Sequence, residues 1–422
     1  MISVSKNKNR SNYTIIALLI FCVVFFMYQY GLRVSLTSVL NDELLKHFSI
    51  SASDLGTLVS VFFLTYTLMQ IPSGLVSDNW SLKMIPIIAF CFTSVGFILF
   101  VSSSNFLIAI LAQILIGIGS SFAFVLIFKV TGTYFSRKNS EFLASLGISC
   151  GNFGPVLISP MIAYITLQYY WKSVILFAAF LGLLGAFLGY IGIDEKKLKS
   201  DGAVAEKIKK YSTKDSLKII CSSRQPFLIG IFSMLILGPI QSFCDVWGLQ
   251  FLRSVYEVEK LQASSAIGLI YTGMIFGCPF FAYIAGKLKS YKIPMIFGGC
   301  ALFFSMLIVI FLKIPFTLLS ILLFLVGLLT TCQFLVYPAA ISGSLSEISA
   351  TMTGVVNMIT MLGCTFMVKL IGLLMDFSLG EKIIGGKMSY SVQDYRYAMM
   401  SIVASILLAV FIALFIKDSY KR

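Results

Sequence analysis

The sequence predicts an all-α integral membrane protein of twelve transmembrane helices in two pseudo-symmetric six-helix bundles, on three observations. The chain is 58% hydrophobic and 12% charged with a mean hydropathy of +0.93, a composition that soluble domains of this length do not have. Apolar runs long enough to cross roughly 30 Å of hydrocarbon as helices recur at 15–40, 54–77, 84–102, 106–129, 141–165, 173–193, 226–252, 264–286, 293–312, 316–342, 350–375 and 395–416. One pattern also occurs twice at an offset of 212 positions: Tyr30-Gly-Leu-Arg33, Gly56 and Gly74 are answered by Ser242-Phe-Cys-Asp245, Gly268 and Gly286.

The elements follow in order. A basic stretch (Lys6, Lys8, Arg10) precedes the first run, but the run is too long for a signal h-region and lacks a small-residue cleavage site. It is therefore expected as an uncleaved first helix. Gly74 is expected to make a tight turn between spans two and three. Gly147-Ile-Ser-Cys-Gly151 on span five is a G-x-x-x-G that lets helices approach closely, and Gly117 and Gly119 on span four act alike. Pro155, Pro160, Pro239 and Pro338 remove intrahelical hydrogen bonds and permit kinks. Residues 194–224, with nine basic and five acidic side chains, read as a cytoplasmic linker between an N-terminal half (1–193) and a C-terminal half (225–422). An irregular stretch with Gly380, Gly385 and Gly386 separates the last two spans.

A net charge of +14 and a pI near 9.3 could suggest nucleic-acid binding. The basic residues instead concentrate at the two termini, the linker and alternate helix ends. That is the positive-inside bias of an inner-membrane protein with both termini cytoplasmic, and no nucleic-acid partner is required. The nine cysteines are isolated, His47 is the single histidine, and no nucleophile–base constellation stands out. The expectation is a chain that is not an enzyme, with no metal and no cofactor. Internal repeats around a central cavity mark secondary transporters. On the 212 offset Arg33 falls on Asp245, which makes these two the first candidate solute contacts.

Gly74-Leu-Val-Ser-Asp78-Asn-Trp-Ser-Leu-Lys83 resembles the G-x-x-x-D-(R/K)-x-G-(R/K)-(R/K) segment between helices two and three of the major facilitator superfamily. Asn79 and Trp80 stand where that family usually has a basic residue, and Gly286 to Lys292 gives a weaker echo without the aspartate. The resemblance implies the major facilitator fold and a gating role for Gly74, Asp78 and Lys83. Tyr30-Gly-Leu-Arg33, Phe128-Lys129 before Tyr134-Phe135, Asp245-Val-Trp247 before Phe251-Leu252, Asn357-Met358 and Tyr390 to Tyr397 resemble a proteobacterial group that includes the phagosomal amino-acid transporters, distantly similar to lysosomal dipeptide carriers. Arg33 is also similar to the first-helix phosphate-binding arginine of organophosphate:phosphate antiporters, whose second arginine has no counterpart here. Many proton-driven members have an arginine on helix four before G-x-G; this chain has Gln113.

Ionisable side chains at bilayer depth cost on the order of 2.5–3.5 kcal/mol each and so need a partner or a role. Arg33, Lys129, Asp245 and Lys369 qualify, with Tyr30, Gln241 and Asn357 as polar lining beside them. An Arg33–Asp245 ion pair that only closes a gate is one reading. In the other, the guanidinium takes a solute carboxylate and Asp245 takes an ammonium group. Lysines near span ends also snorkel to the interface, an alternative for Lys129 and Lys369. The expected function is alternating-access transport of a small carboxylate-bearing solute, an amino acid or short peptide, by a monomer in the lipid bilayer. Protons are a candidate coupling ion, with Asp245 as their site. The rivals are an organic-anion or organophosphate exchanger and, from another class, a membrane sensor or scaffold.

Overall fold

The computed structural model describes residues 3–102, 104–135, 143, 146–193, 218–342, 349–379, 383–384, 387–388 and 390–420. Most of the expected linker, 194–217, lies outside them, as do Gly380, Gly385 and Gly386. Among the described residues eleven helices are long and apolar enough to cross a membrane. They run from Thr14–Val39 through Met84–Ser102, Phe106–Thr131, Leu146–Ile165 and Trp171–Gly192 to Gln225–Tyr256, Lys260–Leu288, Lys292–Phe311, Phe316–Ser342, Met352–Ser378 and Val392–Ala413. The twelfth is Ala52–Leu68, which resumes as Gln70–Asn79 after a break at Met69. It is bent by 109° from the short helix Asn41–Phe48 before it. Among the described residues the regular structure is helical apart from a two-residue antiparallel pair, Ile383↔Met388 and Ile384↔Lys387, between spans eleven and twelve.

Two compact units are present. The first comprises Met1–Arg33, Thr65–Pro155 and Ile165–Lys207; the second comprises Val34–Leu64, Val156–Tyr164 and Ile208–Arg422. In the first, Leu18, Cys22 and Phe25 of span one pack with Phe90 of span three and Leu126, Ile127 and Val130 of span four. Several of its polar side chains are satisfied locally: Gln29 donates to Thr93 at 2.9 Å and accepts from Ser120 at 2.8 Å, and the Tyr28 hydroxyl donates to the Ala178 carbonyl at 2.7 Å. With no water to compete in hydrocarbon, such internal pairing is what buried polar groups require.

In the second unit spans seven and eleven meet backbone to backbone at Gly238 and Gly363, where a Cβ on Gly238 would come within 2.8 Å of the Gly363 Cα. Pro239, next to that contact, has no N–H to offer the Leu235 carbonyl. Ser405 of span twelve donates to that carbonyl instead, at 3.0 Å. Large apolar side chains such as Phe177, Phe180, Phe187, Phe276, Phe297 and Phe411 are exposed on the outer helix faces. This inside-out distribution is the one a lipid solvent selects.

The structure corrects the repeat. Five-residue π-helical turns occur at Ser35–Val39 and Phe243–Trp247. The helices that follow end in left-handed caps at Ser49 and Glu257, and the next spans begin at Ala52 and Lys260. All three landmarks repeat at 208 positions, one helical turn less than the 212 of the glycine pattern. Identical glycine spacing survives a one-turn slip because a helix presents nearly the same face every 3.6 residues. Arg33 therefore corresponds to Gln241, two residues ahead of each π turn, and Asp245 corresponds to Thr37 at the centre of each. Gly74 is also not in a turn: it lies inside the helix Gln70–Asn79, where a Cβ would meet no neighbour. The chain turns at Trp80, which is extended.

Candidate functional site

Asp245 is the centre of the site in the second unit. It is 1% exposed, within the π turn Phe243–Trp247. Gln241, one turn earlier on the same helix, donates its Nε2 to both carboxylate oxygens at 2.9 and 3.0 Å. The hydroxyl of Tyr271, itself 1% exposed on span eight, donates to Oδ1. Hydrogen bonds to a charged partner are stronger than neutral ones and account for about 1.5–3 kcal/mol each, enough to offset the burial cost of one carboxylate.

A π turn widens the helix and loosens its backbone ladder, and here the loosened carbonyls find side chains. Thr37, at the centre of the first π turn, donates to the Asp245 carbonyl at 2.5 Å. Asn41 donates to the Val246 carbonyl at 3.1 Å, and Gln250 donates back to the Ser38 carbonyl at 3.5 Å. Two ion pairs continue this seam toward the helix ends, Arg253–Asp42 at 2.6 Å and Lys260–Glu43 at 2.7 Å. Both are partly exposed, so each adds little stability by itself.

A second seam joins the start of span two to span eleven. The first backbone N–H groups of a helix lack internal acceptors. For span two they are met from afar: the Ala52 N–H donates to the Tyr390 hydroxyl at 2.7 Å and the Ser53 N–H to Asp376 at 2.8 Å. The Tyr390 hydroxyl in turn donates to Asp376 at 2.7 Å. Burial, together with this bond to a carboxylate, pushes the Tyr390 phenol well above the usual tyrosine range, so it remains a donor at physiological pH. Lys369, two turns before Asp376 on the same helix, donates to the Ser53 carbonyl at 2.8 Å, to the Ser53 hydroxyl at 2.6 Å and to the Thr57 hydroxyl at 2.5 Å. Gly56 and Gly372 allow this close approach. A Cβ on Gly56 would lie 2.9 Å from the Val368 carbonyl oxygen, and one on Gly372 would lie 3.1 Å from the Ser53 Cα. Together these contacts form a clasp on the start of span two.

The other expected residues are distributed as follows. Arg33 closes the helix before the first π turn, with its guanidinium carbon 4.4 Å from the Tyr30 ring centroid. Tyr30 in turn stacks on Phe26. Such a cation–π contact contributes roughly 0.5–2 kcal/mol, depending on desolvation. Asn357 is 6% exposed and accepts from the Tyr337 hydroxyl at 2.9 Å. Lys83 lies over the Tyr190 ring at 4.9 Å, and Lys129 is half-buried near the end of span four. The side chain of Asp78 lies outside the described atoms. Gln241 and Asp245 are brought together, whereas Lys369 belongs to the clasp.

Sequence reasoning missed Tyr271, Thr37, Ser53, Thr57 and Asp376. A tyrosine or hydroxyl side chain on an apolar helix has no distinguishing spacing. The 208-residue register would have pointed to Thr37.

A sequence profile of the Major Facilitator Superfamily matches residues 16–368. The chain belongs to that superfamily. It is a transporter-family protein rather than an enzyme. Among curated superfamily relatives, an uncharacterized transporter of Bacillus subtilis (strain 168), YybO, is 27% identical over 135 residues. That match covers 32% of this chain and 31% of YybO, so it spans about a third of that protein. The quinolone resistance protein NorA of Staphylococcus aureus (strain MSSA476) is 23% identical over 299 residues, 69% of this chain and 73% of NorA. Among solved structures, a bacterial homolog to the human lysosomal transporter Spinster, inward-facing and unoccupied, superposes with a TM-score of 0.74 at 15% identity over 95% of this chain and 96% of that one. The nucleoside transporter NupG superposes with a TM-score of 0.73 at 12% identity, over 96% of this chain and 98% of NupG. At such identities the likeness carries the facilitator fold and nothing about the solute.

Proposed function

We propose that this facilitator is a secondary transporter that moves a small carboxylate-bearing solute, an amino acid or short peptide, across the inner membrane by alternating access between halves 1–193 and 225–422. The observation that carries the reading is the pair of unlike charges held at π-turned span ends: Arg33 just before the first turn and Asp245 inside the second. A guanidinium offers two parallel donors to a carboxylate, and a fixed carboxylate complements an ammonium group. Tyr30, Gln241, Asn357 and Lys129 are proposed as lining. The resemblance to the phagosomal amino-acid transporter group supports the same solute class. Protons are the proposed coupling ion, with Asp245 their site, and the working unit is a monomer.

The exchanger of organic anions or organophosphates is the second reading. It is favoured by Asp245 already being engaged by Gln241 and Tyr271, which would leave that carboxylate to the gate. Uptake into proteoliposomes of mixed amino acids, dipeptides and organic anions, with and without a proton gradient, separates the two. Accumulation of zwitterions is the expected result; transport confined to anions lacking an amine would overturn the amino-acid reading.

In this reading the seams around Thr37 and Ser53 form the outer gate, while Gly74, Asp78 and Lys83 belong to the cytoplasmic one. The orientation follows from the basic-residue bias. A cysteine placed at Gly385 should react with an impermeant thiol reagent added outside, and one at Lys207 should not. The opposite labelling pattern would invert the topology.

A further inference from the structure

Trp247 connects the two seams. It lies two residues after Asp245 in the same π turn and is 1% exposed. Its indole Nε1 donates to the Val368 carbonyl at 3.3 Å. That carbonyl is the atom facing Gly56 of span two where the two helices approach closely, and the next residue, Lys369, holds Ser53 and Thr57. A short path therefore runs from the carboxylate through one π turn and one indole to the clasp.

The path has an element with two available arrangements. A π turn differs from an α-helical one by a single residue of winding, and such turns recur at functional sites. The hydrogen bonds that hold this one open come from outside its own backbone: Thr37 and Asn41 on its carbonyls, Gln241 and Tyr271 on its carboxylate. Removing the charge at Asp245, by protonation or by a solute group, weakens the last two. A turn that then rewinds carries the indole off the Val368 carbonyl, because the indole is rooted in the turn itself. Physical coupling requires an element of this kind, biased from both ends.

We propose that Trp247 is a positioning residue that transmits a change at Asp245 to the clasp on span two. This rests on the reading that spans two and eleven part during transport. The test needs no identified solute. Ser60, 9% exposed and bonded to the Thr365 carbonyl at 2.7 Å, is replaced by cysteine in the full chain. Its labelling by an impermeant maleimide is then timed in right-side-out vesicles, with Ser60 unchanged as the background. Asp245→Asn is expected to change the labelling rate by about fivefold or more, the lower end of typical coupling. In a Trp247→Phe chain, which keeps an aromatic ring and loses the donor, the same Asp245→Asn step should leave the rate nearly unchanged.

An equal response in both chains overturns the role of Trp247. No response to Asp245→Asn in either chain also overturns it, since nothing is then transmitted, while the uptake assay above remains a separate test of transport. A second measurement leaves Trp247 intact and covers the case in which Trp247→Phe does not fold. The chain has three tryptophans, so Trp80→Phe with Trp171→Phe leaves Trp247 as the only tryptophan to excite selectively. Its emission maximum should shift on Asp245→Asn, and an unchanged spectrum overturns the proposal.

Discussion

Uptake should fall at least about tenfold when Asp245 is replaced by alanine, and the loss should exceed that of any other single change in the second unit. Alanine strands two buried donors, Gln241 Nε2 and the Tyr271 hydroxyl, at about 1–3 kcal/mol for each left unsatisfied. About 1.4 kcal/mol is tenfold in an equilibrium, so the bound or closed state that uses this cluster is depleted strongly. Asp245→Asn keeps an acceptor oxygen and should fold where alanine fails. It should abolish accumulation driven by a proton gradient while sparing some exchange. Accumulation by Asp245→Asn in response to a proton gradient would remove Asp245 as the proton site. The charge-swapped pair Arg33→Asp with Asp245→Arg, compared with the single changes, then separates gating from solute recognition. Partial recovery points to a gate, a folded but inactive protein points to recognition, and additive effects across the cycle dismiss any coupling of the two residues.

Breaking the clasp should be the second large effect. Lys369→Met removes three donated bonds and Asp376→Asn weakens the charged acceptor shared by Ser53 and Tyr390. A loss of about 2 kcal/mol from the closed state, within the range for one charge-assisted hydrogen bond, shifts a two-state gate by about thirtyfold. The double variant should therefore label faster than the native chain at a Ser60→Cys probe, and should leak or lose accumulation. Tyr390→Phe, which deletes one oxygen and keeps the ring, should move labelling the same way by a smaller factor. Unchanged labelling in both would show that span two is held by packing at Gly56 and Gly372 alone.

How much of this was legible depended on which physical signal each feature leaves. The spans were readable because an apolar run of membrane length is a strong, contiguous signal, and the structure moves most of their ends by only a few residues. That Asp245 would need buried partners was readable because a carboxylate at bilayer depth is costly and conspicuous. Gln241 was readable only as polar lining beside it, and not as the donor to its carboxylate. The repeat was legible in kind and misplaced by one turn, since glycine spacing tolerates a slip that π turns and left-handed caps do not. Tyr271 left no signal, because a hydroxyl among apolar residues resembles ordinary helix packing, and Thr37 was reachable only through the 208-residue register. The clasp was hidden for a different reason: Ser53 lies 323 residues before Asp376 and 316 before Lys369, and no local pattern reaches across that distance.

If the seams form the outer gate as proposed, the paired π turns give that gate a definite stroke. Each holds one residue more than the α-helix around it would, so expelling that residue advances everything beyond it by about 1.5 Å and turns it by about 100°. Beyond Ser35–Val39 stand Asp42 and Glu43; beyond Phe243–Trp247 stand Arg253 and, past the next cap, Lys260. A screw of that size on either helix end carries the carboxylates and their cations out of register at once. Under that proposal the two ion pairs would act as a thread that engages at one pitch only, and opening would be a quarter-turn rather than a hinge.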